Sequence, residues 1–270
     1  MDSPLDVRKR TKTSKPDPAS GIMAGSVHFL VLVAWLTFQS NGVSAETVRI
    51  AVASNFHPTL TKLVQAVPKE PDTEYVLISG STGVLYSQIS NGAPFDILMA
   101  ADKVRPALLD TQGLIEAGSR KTYAVGRLAL WAPRPTFPVN EVFLQNFQGN
   151  LAIANPEIAP YGVAAKELLS PLDLSKIRLI KGNNVGQAFH FVQTENAQAG
   201  LVALSQVLHS RISKKFFWPV DQGLYKPIEQ QMVTMNQSPG TIEFTAFLTT
   251  DAAMRIISND GYQLPGPREN

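Results

Sequence analysis

The chain has 270 residues, which exceeds the ~100–200 typical of one domain and predicts either two lobes or one large domain. Apolar residues make up 44% of the sequence and charged residues 17%, as in globular proteins, so disordered, collagenous and polytopic membrane proteins are excluded. The sequence has no cysteine, which excludes disulfides, thiolate metal sites and cysteine nucleophiles.

The first 45 residues have the order of parts of a secretory signal peptide. A basic segment precedes an uncharged apolar run from Val27 to Phe38. This run fits the core of a signal peptide and is too short for the ~20 residues of a membrane-spanning helix. The small residues Val43-Ser44-Ala45 then predict cleavage after Ala45 and export to the periplasm. An uncleaved anchor at the membrane surface is the alternative.

The charge of the predicted mature chain excludes two classes of partner. Residues 1–45 carry five of the 24 basic and three of the 22 acidic side chains, so the remainder has 19 of each. A formally neutral protein has no basic excess with which to bind nucleic acid or acidic membranes. We therefore expect neither as a partner.

Past Glu46 the sequence alternates short apolar strands with amphipathic helices. In chain order the pattern predicts a strand at 48–53, a helix after Ser54-Asn55, a strand at 75–78, a helix after Gly80-Ser81-Thr82-Gly83, a strand at 96–99 and a helix at 103–111. This alternation predicts parallel βαβ units and a first α/β lobe, with helices on both faces of the sheet.

The alternation resumes after a proline-rich break. Residues 123–132 predict a longer strand, closed by Pro133, Pro135 and Pro138. The later predicted elements are strands at 151–154, 177–180, 200–203 and 231–233, and helices at 161–169, after 185 and at 241–259. We expect the terminal portion to rejoin the first lobe.

Four loops at predicted helix starts are short, uncharged and supplied with hydroxyl or amide groups. In open parallel sheets, ligands bind beyond the carboxyl ends of the strands, where helix N-termini present free amides. Neutral donors and the roughly +0.5 charge of each helix N-terminus suit a small dianion. The alternative is that these residues only cap their helices. The loops are Ser54-Asn55, Ser81-Thr82, Pro160-Tyr161-Gly162 and Asn183-Asn184-Val185.

Motifs for other chemistry are weak. The segment 80–83 lacks the Lys-[Ser/Thr] of a nucleotide-binding loop. Ser54 and His57 lie close in sequence but have no orienting acid and no nucleophile elbow. His190 and His209 lack the spacing of metal ligands. We therefore expect no enzymatic activity and no cofactor.

From about Thr47 to Tyr262 the sequence resembles the periplasmic molybdate-binding proteins of molybdate ABC transporters. The stretches that carry the resemblance are 51–56, 80–86, 91–96 with Ala101-Asp102, and Asn155-Pro156 with 159–162. It implies an α/β, two-lobed fold of the periplasmic-binding-protein type II class. Each lobe would be a mostly parallel sheet flanked by helices and hinged around a ligand cleft. The lobe limits we predict are 46–126 with 226–270, and 127–225.

The resemblance also implies which residues bind the ligand. They correspond here to Ser54 with Asn55, to Ser81 or Thr82, to Tyr161 and to the backbone N–H of Val185. Molybdenum would be held only as its oxyanion, by these same residues. Some members carry a tyrosine where this chain has Ala203. Either Tyr161 supplies the phenolic donor from another loop, or this protein binds more weakly or binds something else.

The function implied is that of an extracytoplasmic solute-binding protein. It would capture molybdate or tungstate in the cleft and deliver it, as a monomer, to the membrane permease of an ABC transporter. The alternatives are a receptor for sulfate, phosphate or a small organic acid, a sensory domain that binds an anion, and an enzyme on the same scaffold.

Overall fold

The computed structural model describes residues 46–68 and 72–266. The signal peptide predicted over residues 1–45, with its cleavage after Ala45, lies outside the described residues. Within the described ranges, no helix combines the length and the apolar character that crossing a membrane requires.

Two five-stranded sheets organise this part of the chain. The elements before the chain first passes between the sheets are β1 (Glu46–Ala53), α1 (His57–Ala66), β2 (Thr73–Gly80), α2 (Thr82–Ser90), β3 (Ile97–Met99), α3 (Val104–Thr111) and β4 (Lys121–Gly126).

The second sheet is built from the middle of the sequence. Its elements are β5 (Leu128–Trp131), α4 (Glu141–Gln145), β6 (Gly149–Ala154), α5 (Pro160–Leu169), β7 (Ile177–Gly182), α6 (Val185–Gln193), β8 (Ala199–Ala203), α7 (Leu204–His209), a 3₁₀ turn (Lys214–Phe216) and β9 (Phe217–Pro219). The chain then returns through a 3₁₀ turn (Gln222–Leu224), β10 (Ile228–Thr234), α8 (Pro239–Phe247) and α9 (Asp251–Asn259).

The two sheets share one topology. The strand order is β2-β1-β3-β10-β4 in the first and β7-β6-β8-β5-β9 in the second. In each sheet one strand, β10 or β5, runs against the other four. We call the first sheet with α1–α3, α8 and α9 the first lobe, and the second sheet with α4–α7 the second lobe. The predicted class, an α/β fold of two mostly parallel lobes, is confirmed.

Two predicted elements are wrong because each is divided in the structure. The strand expected over 123–132 is two strands, since β4 belongs to the first sheet and β5 to the second, and the chain crosses between them at Arg127. The helix expected over 241–259 is α8 and α9, and Thr250 caps the second of them. The lobe limits at 126–127 and 225–226 stay a prediction.

The first sheet is buried on both faces, as its apolar strands predict. Val48, Ile50 and Val52 alternate along β1 and pack in one cluster with residues of α1, α8 and α9. Ala51, between them, packs on the opposite face with residues of α2 and α3. Full burial of each large aliphatic side chain contributes about 1.5–3 kcal/mol, so packing of the helices stabilises the sheet beneath the loops at its carboxyl edge.

A buried polar cluster lies beside the first crossing. It consists of Asn55, Tyr123, Tyr161, Gln230 and Tyr262, and we call it the tyrosine cluster. The Asn55 side-chain amide donates to Gln230 Oε1 at 3.0 Å and to the Tyr262 hydroxyl at 3.1 Å. The hydroxyl of Tyr123 donates to Gln230 Oε1 at 3.0 Å, and Gln230 Nε2 donates to the Tyr161 hydroxyl at 3.5 Å. These bonds offset the cost of burying the polar groups.

We predict that stability falls at alkaline pH because of this cluster. Burial raises the pKa of Tyr123, Tyr161 and Tyr262 above the ordinary value near 10. Above pH ~10 the unfolded chain loses these protons while the folded chain keeps them. Each tyrosine then lowers the free energy of unfolding by about 1.4 kcal/mol per pH unit. The stabilisation is complete below pH ~10 and is lost as the pH rises.

Urea unfolding between pH 9 and 11.5 measures this slope. Because Tyr262→Phe removes one of the three protons, the slope should become shallower by about 1.4 kcal/mol per pH unit. An unchanged slope in that variant would contradict the assignment, whatever the variant's stability at neutral pH.

Candidate functional site

Four helix N-termini meet between the lobes. Helices α1 and α2 follow β1 and β2 of the first sheet, and α5 and α6 follow β6 and β7 of the second. Because parallel strands end at one edge of their sheet, the four starts face one another across the cleft. The residues predicted to bind a ligand all line one small cavity there: Ser54, Asn55, Ser81, Thr82, Tyr161 and Val185.

The cavity is small and uncharged. The space open to the centre of a water molecule is about 10 Å³, which is close to the ~10–15 Å³ that one water requires. The lining residues include no lysine, arginine, histidine, aspartate or glutamate. In this arrangement of the lobes the cavity has room for about one water molecule, and a ligand there would be bound by dipoles and neutral donors.

Donors from the first lobe come from the starts of α1 and α2. The Ser81 hydroxyl accepts from the N–H of Val84 at 3.3 Å as the cap of α2, and its own proton is left to donate. The hydroxyl of Thr82 accepts from the buried N–H of Ala101 at 2.9 Å. Within the described ranges, the backbone N–H groups of Asn55 and Thr82 have no acceptor. Each is an available donor at the cavity.

The second lobe contributes the starts of α5 and α6. Asn184 caps α6 by accepting from the N–H of Gln187 at 2.9 Å. The N–H groups of Tyr161 and Val185, in the first turns of these helices, find no acceptor among the residues that the structure describes. Backbone amides of this kind, with the helix dipole behind them, form an anion site.

Ser54 joins the two lobes at the cavity. Its hydroxyl oxygen accepts from the N–H of Gly186, in the first turn of α6, at 3.2 Å. The hydroxyl proton is free to donate elsewhere, so Ser54 can contact a ligand and the second lobe at the same time. Sequence analysis did not identify Gly186, because a glycine inside an apolar helix start carries no signal for a hydrogen bond to a distant loop.

Two of the predicted side chains are engaged elsewhere. The side-chain amide of Asn55 bonds within the tyrosine cluster, so this residue offers the cavity its backbone N–H. The phenol of Tyr161 is buried in the same cluster, where burial raises its pKa well above the ordinary value of 10 and keeps it protonated. Ala203 is fully buried at the start of α7.

The lobes also touch at the rim of the cavity. The N–H of Gly83 donates to the carbonyl of Ile158 at 3.0 Å. A Cβ at position 83 would lie 2.8 Å from that carbonyl oxygen, so only glycine allows this approach. Arg105 pairs with Asp102 at 2.6 Å and donates across the cleft to the carbonyl of Glu157 at 3.4 Å. These contacts hold the loops of both lobes around the cavity.

The structure gives little support to other chemistry at this place. Burial lowers the pKa of His57, and no hydrogen bond joins His57 to Ser54 among the described residues. No group of three or more histidine, cysteine, aspartate or glutamate side chains in the described ranges is arranged to hold a metal ion.

Comparison with known proteins agrees with this geometry. The sequence profile of the family "Bacterial extracellular solute-binding protein" matches residues 48–263. The molybdate-binding protein ModA of Azotobacter vinelandii is 36% identical over 251 residues, which span 90% of this chain and 100% of the relative. ModA of Rhodobacter capsulatus is 34% identical, over 81% of this chain and 89% of the relative.

The solved structures include the periplasmic molybdate-binding protein of Azotobacter vinelandii. It superposes with a TM-score of 0.74 at 34% identity, and the match covers 81% of this chain and 100% of that structure. A profile match over most of the sequence, together with relatives above 30% identity over 89–100% of their length, establishes the family. The chain belongs to the bacterial extracellular solute-binding proteins.

Proposed function

We propose that this protein captures molybdate or tungstate outside the cytoplasm and delivers it to the permease of an ABC transporter. The observation that carries the proposal is the convergence of four helix N-termini and two serine hydroxyls on one uncharged cavity. The names of the aligned relatives, which are molybdate-binding proteins, support the choice of ion.

The proposed ligand contacts divide between side chains and backbone. Ser54 and Ser81 donate through their hydroxyls, and Asn55, Tyr161 and Val185 donate through backbone N–H groups. For the pair at the start of α2 we favour the Ser81 hydroxyl over that of Thr82. The Thr82 side chain is fully buried and supports the N–H of Ala101, which leaves the Thr82 backbone N–H as its donor.

The donor set argues against phosphate. At neutral pH phosphate carries a proton that needs an acceptor, whereas no carboxylate lines this cavity. A fully deprotonated tetrahedral dianion requires donors only. Sulfate also needs donors only, so selection against it depends on the dimensions of the cavity. A rigid ring of donors that fits the longer metal–oxygen bonds of molybdate would leave the oxygens of sulfate out of reach. The residues that line the cavity also include no arginine, which would favour a small organic acid.

We propose binding without catalysis. The hydroxyls of Ser54 and Ser81 have no base beside them at the cavity, so neither is activated as a nucleophile. We also propose that the protein acts as a monomer in the periplasm, after removal of residues 1–45. The family and the names of the relatives support this location.

Ligand binding and lobe closure are coupled in this proposal. The ligand donors come from both lobes, so a bound ion favours the arrangement in which both sets are within reach. The bond from Gly186 to Ser54 and the bond from Gly83 to Ile158 join the lobes in the arrangement that the structure shows. A permease that recognises both lobes together would then distinguish loaded from empty protein.

Thermal unfolding in the presence of molybdate, tungstate, sulfate and phosphate in turn tests the proposed ligand. We expect molybdate and tungstate at ~1,000 times their dissociation constants to add about 4 kcal/mol to stability, which raises the unfolding midpoint by roughly 10 °C. Sulfate and phosphate at the same concentration should give a much smaller shift. Thermal unfolding followed by circular dichroism measures this. An equal shift with sulfate would refute the assigned specificity.

The second test separates ligand binding from helix capping at Ser81. Ser81→Ala removes both the cap of α2 and the proposed ligand donor. The matched control is Ser238→Ala, which removes the equivalent cap of α8 at a residue that does not line the cavity. Both should cost about 1 kcal/mol of stability. Only Ser81→Ala should weaken molybdate binding, by about 10–100-fold, because a hydrogen bond to a charged group is worth about 1.5–3 kcal/mol. Titration calorimetry measures the molybdate affinity of both variants. Equal affinities would show that Ser81 acts only as a helix cap.

The third test concerns closure. Gly83→Ala should weaken binding by at least about tenfold, because the added methyl group meets the Ile158 carbonyl only when the lobes are together. Gly266→Ala, where a Cβ meets nothing within 4 Å, is the control. The proposed coupling fails if both variants bind molybdate like the parent protein.

A further inference from the structure

Gln230 links parts of the molecule that move relative to one another in the proposed mechanism. It lies on β10, the reversed strand of the first sheet, and is fully buried. Its Oε1 accepts from Asn55, in the loop before α1, at 3.0 Å. Its Nε2 donates to the hydroxyl of Tyr161, in the first turn of α5, at 3.5 Å. One side chain thus contacts a cavity residue of each lobe.

The contact with Tyr161 lies beside the crossing between the lobes. A Cβ at Gly126, the last residue of β4, would lie 2.3 Å from the Tyr161 hydroxyl and 2.5 Å from Gln230 Nε2. The absence of a side chain at Gly126 therefore makes the room in which the two polar groups meet. The meeting point is next to Arg127, where the chain passes from the first lobe into the second.

The partners of Gln230 differ in how much they depend on it. The Asn55 amide also donates to the Tyr262 hydroxyl at 3.1 Å, and the Tyr123 hydroxyl can donate instead to the carbonyl of Ala100 at 3.0 Å. The Tyr161 hydroxyl has Gln230 as its one hydrogen-bond partner among the described residues. Loss of the Gln230 amide therefore leaves the first lobe largely satisfied and releases the second-lobe tyrosine.

We propose that Gln230 is a positioning residue for the anion site. It lies outside the cavity lining, and its amide ties the start of α5 to β10 of the first lobe, in the position at which the backbone N–H of Tyr161 converges with that of Asn55. The inference rests on the proposed function, since it assumes that these N–H groups bind an oxyanion. It adds a determinant of affinity that the cavity lining does not include.

The first arm of the experiment removes the amide of Gln230 and nearly preserves the volume of the side chain. Gln230→Met should weaken molybdate binding by about tenfold, equivalent to about 1.4 kcal/mol. Gln231→Met is the matched control: the neighbouring glutamine bonds to Thr122, outside the tyrosine cluster. Titration calorimetry on the purified protein gives both affinities, and circular dichroism confirms that both variants are folded. Equal affinities for the two variants would overturn the inference.

The second arm tests whether the effect of Gln230 passes through Tyr161. Tyr161→Phe removes the hydroxyl that Gln230 Nε2 contacts and keeps the ring. If Gln230 acts through this contact, Gln230→Met should weaken molybdate binding by much less than tenfold when Tyr161→Phe is already present. An equal tenfold loss with and without the Tyr161 hydroxyl would overturn the hydrogen-bond role.

The parent protein separates failure of this inference from failure of the proposed function. If the parent protein binds molybdate and Gln230→Met binds it equally well, only the positioning role is wrong. If the parent protein binds neither molybdate nor tungstate, the proposed function is wrong and the inference is wrong with it.

Discussion

The structure depends on one constraint: a backbone N–H at the start of a helix needs an acceptor, and the helix itself supplies none. In this protein several such groups, among them those of Thr82, Tyr161 and Val185, face a shared cavity between two lobes. Leaving a buried donor unpaired costs about 1–3 kcal/mol. An anion that satisfies several donors at once gains that free energy together with the favourable helix dipoles, without any fixed cation.

The absence of charge at the cavity has a consequence for selectivity. A lysine or arginine would attract any anion, whereas directed neutral donors favour ligands that match their positions and present only acceptors. The charged groups stay at the rim, where Arg105 is held by Asp102 and reaches the opposite lobe through a backbone carbonyl. Charge therefore contributes to the contact between the lobes, and in our proposal the dipoles of the helices contribute to ligand recognition.

Glycine determines how closely the lobes approach. At Gly83 a side chain would collide with the backbone of the other lobe, and at Gly126 it would displace Tyr161 and Gln230. Both positions flank the cavity but neither binds the ligand in our proposal. In our proposal, affinity depends on residues that permit closure as well as on residues that donate hydrogen bonds, because the bound state would include the contacts between the lobes.

The sequence by itself determined the class of fold and the helix starts that carry the site. Apolar strands that alternate with helices favour parallel βαβ units, and Ser81 and Asn184 occupy cap positions that local chemistry specifies. The resemblance to a known family then indicated Ser54, Asn55, Tyr161 and Val185. Their roles as ligand donors remain a prediction.

Tertiary structure alone decided which atoms of these residues are available. The division of 123–132 between two sheets, the use of the Asn55 and Tyr161 side chains in a buried cluster, and the contacts of Gly186 and Gln230 all join residues far apart in the chain. Local sequence carries no signal for such pairings. A glutamine within an apolar strand, or a glycine in the first turn of a helix, acquires its role only from the partner that the fold brings to it.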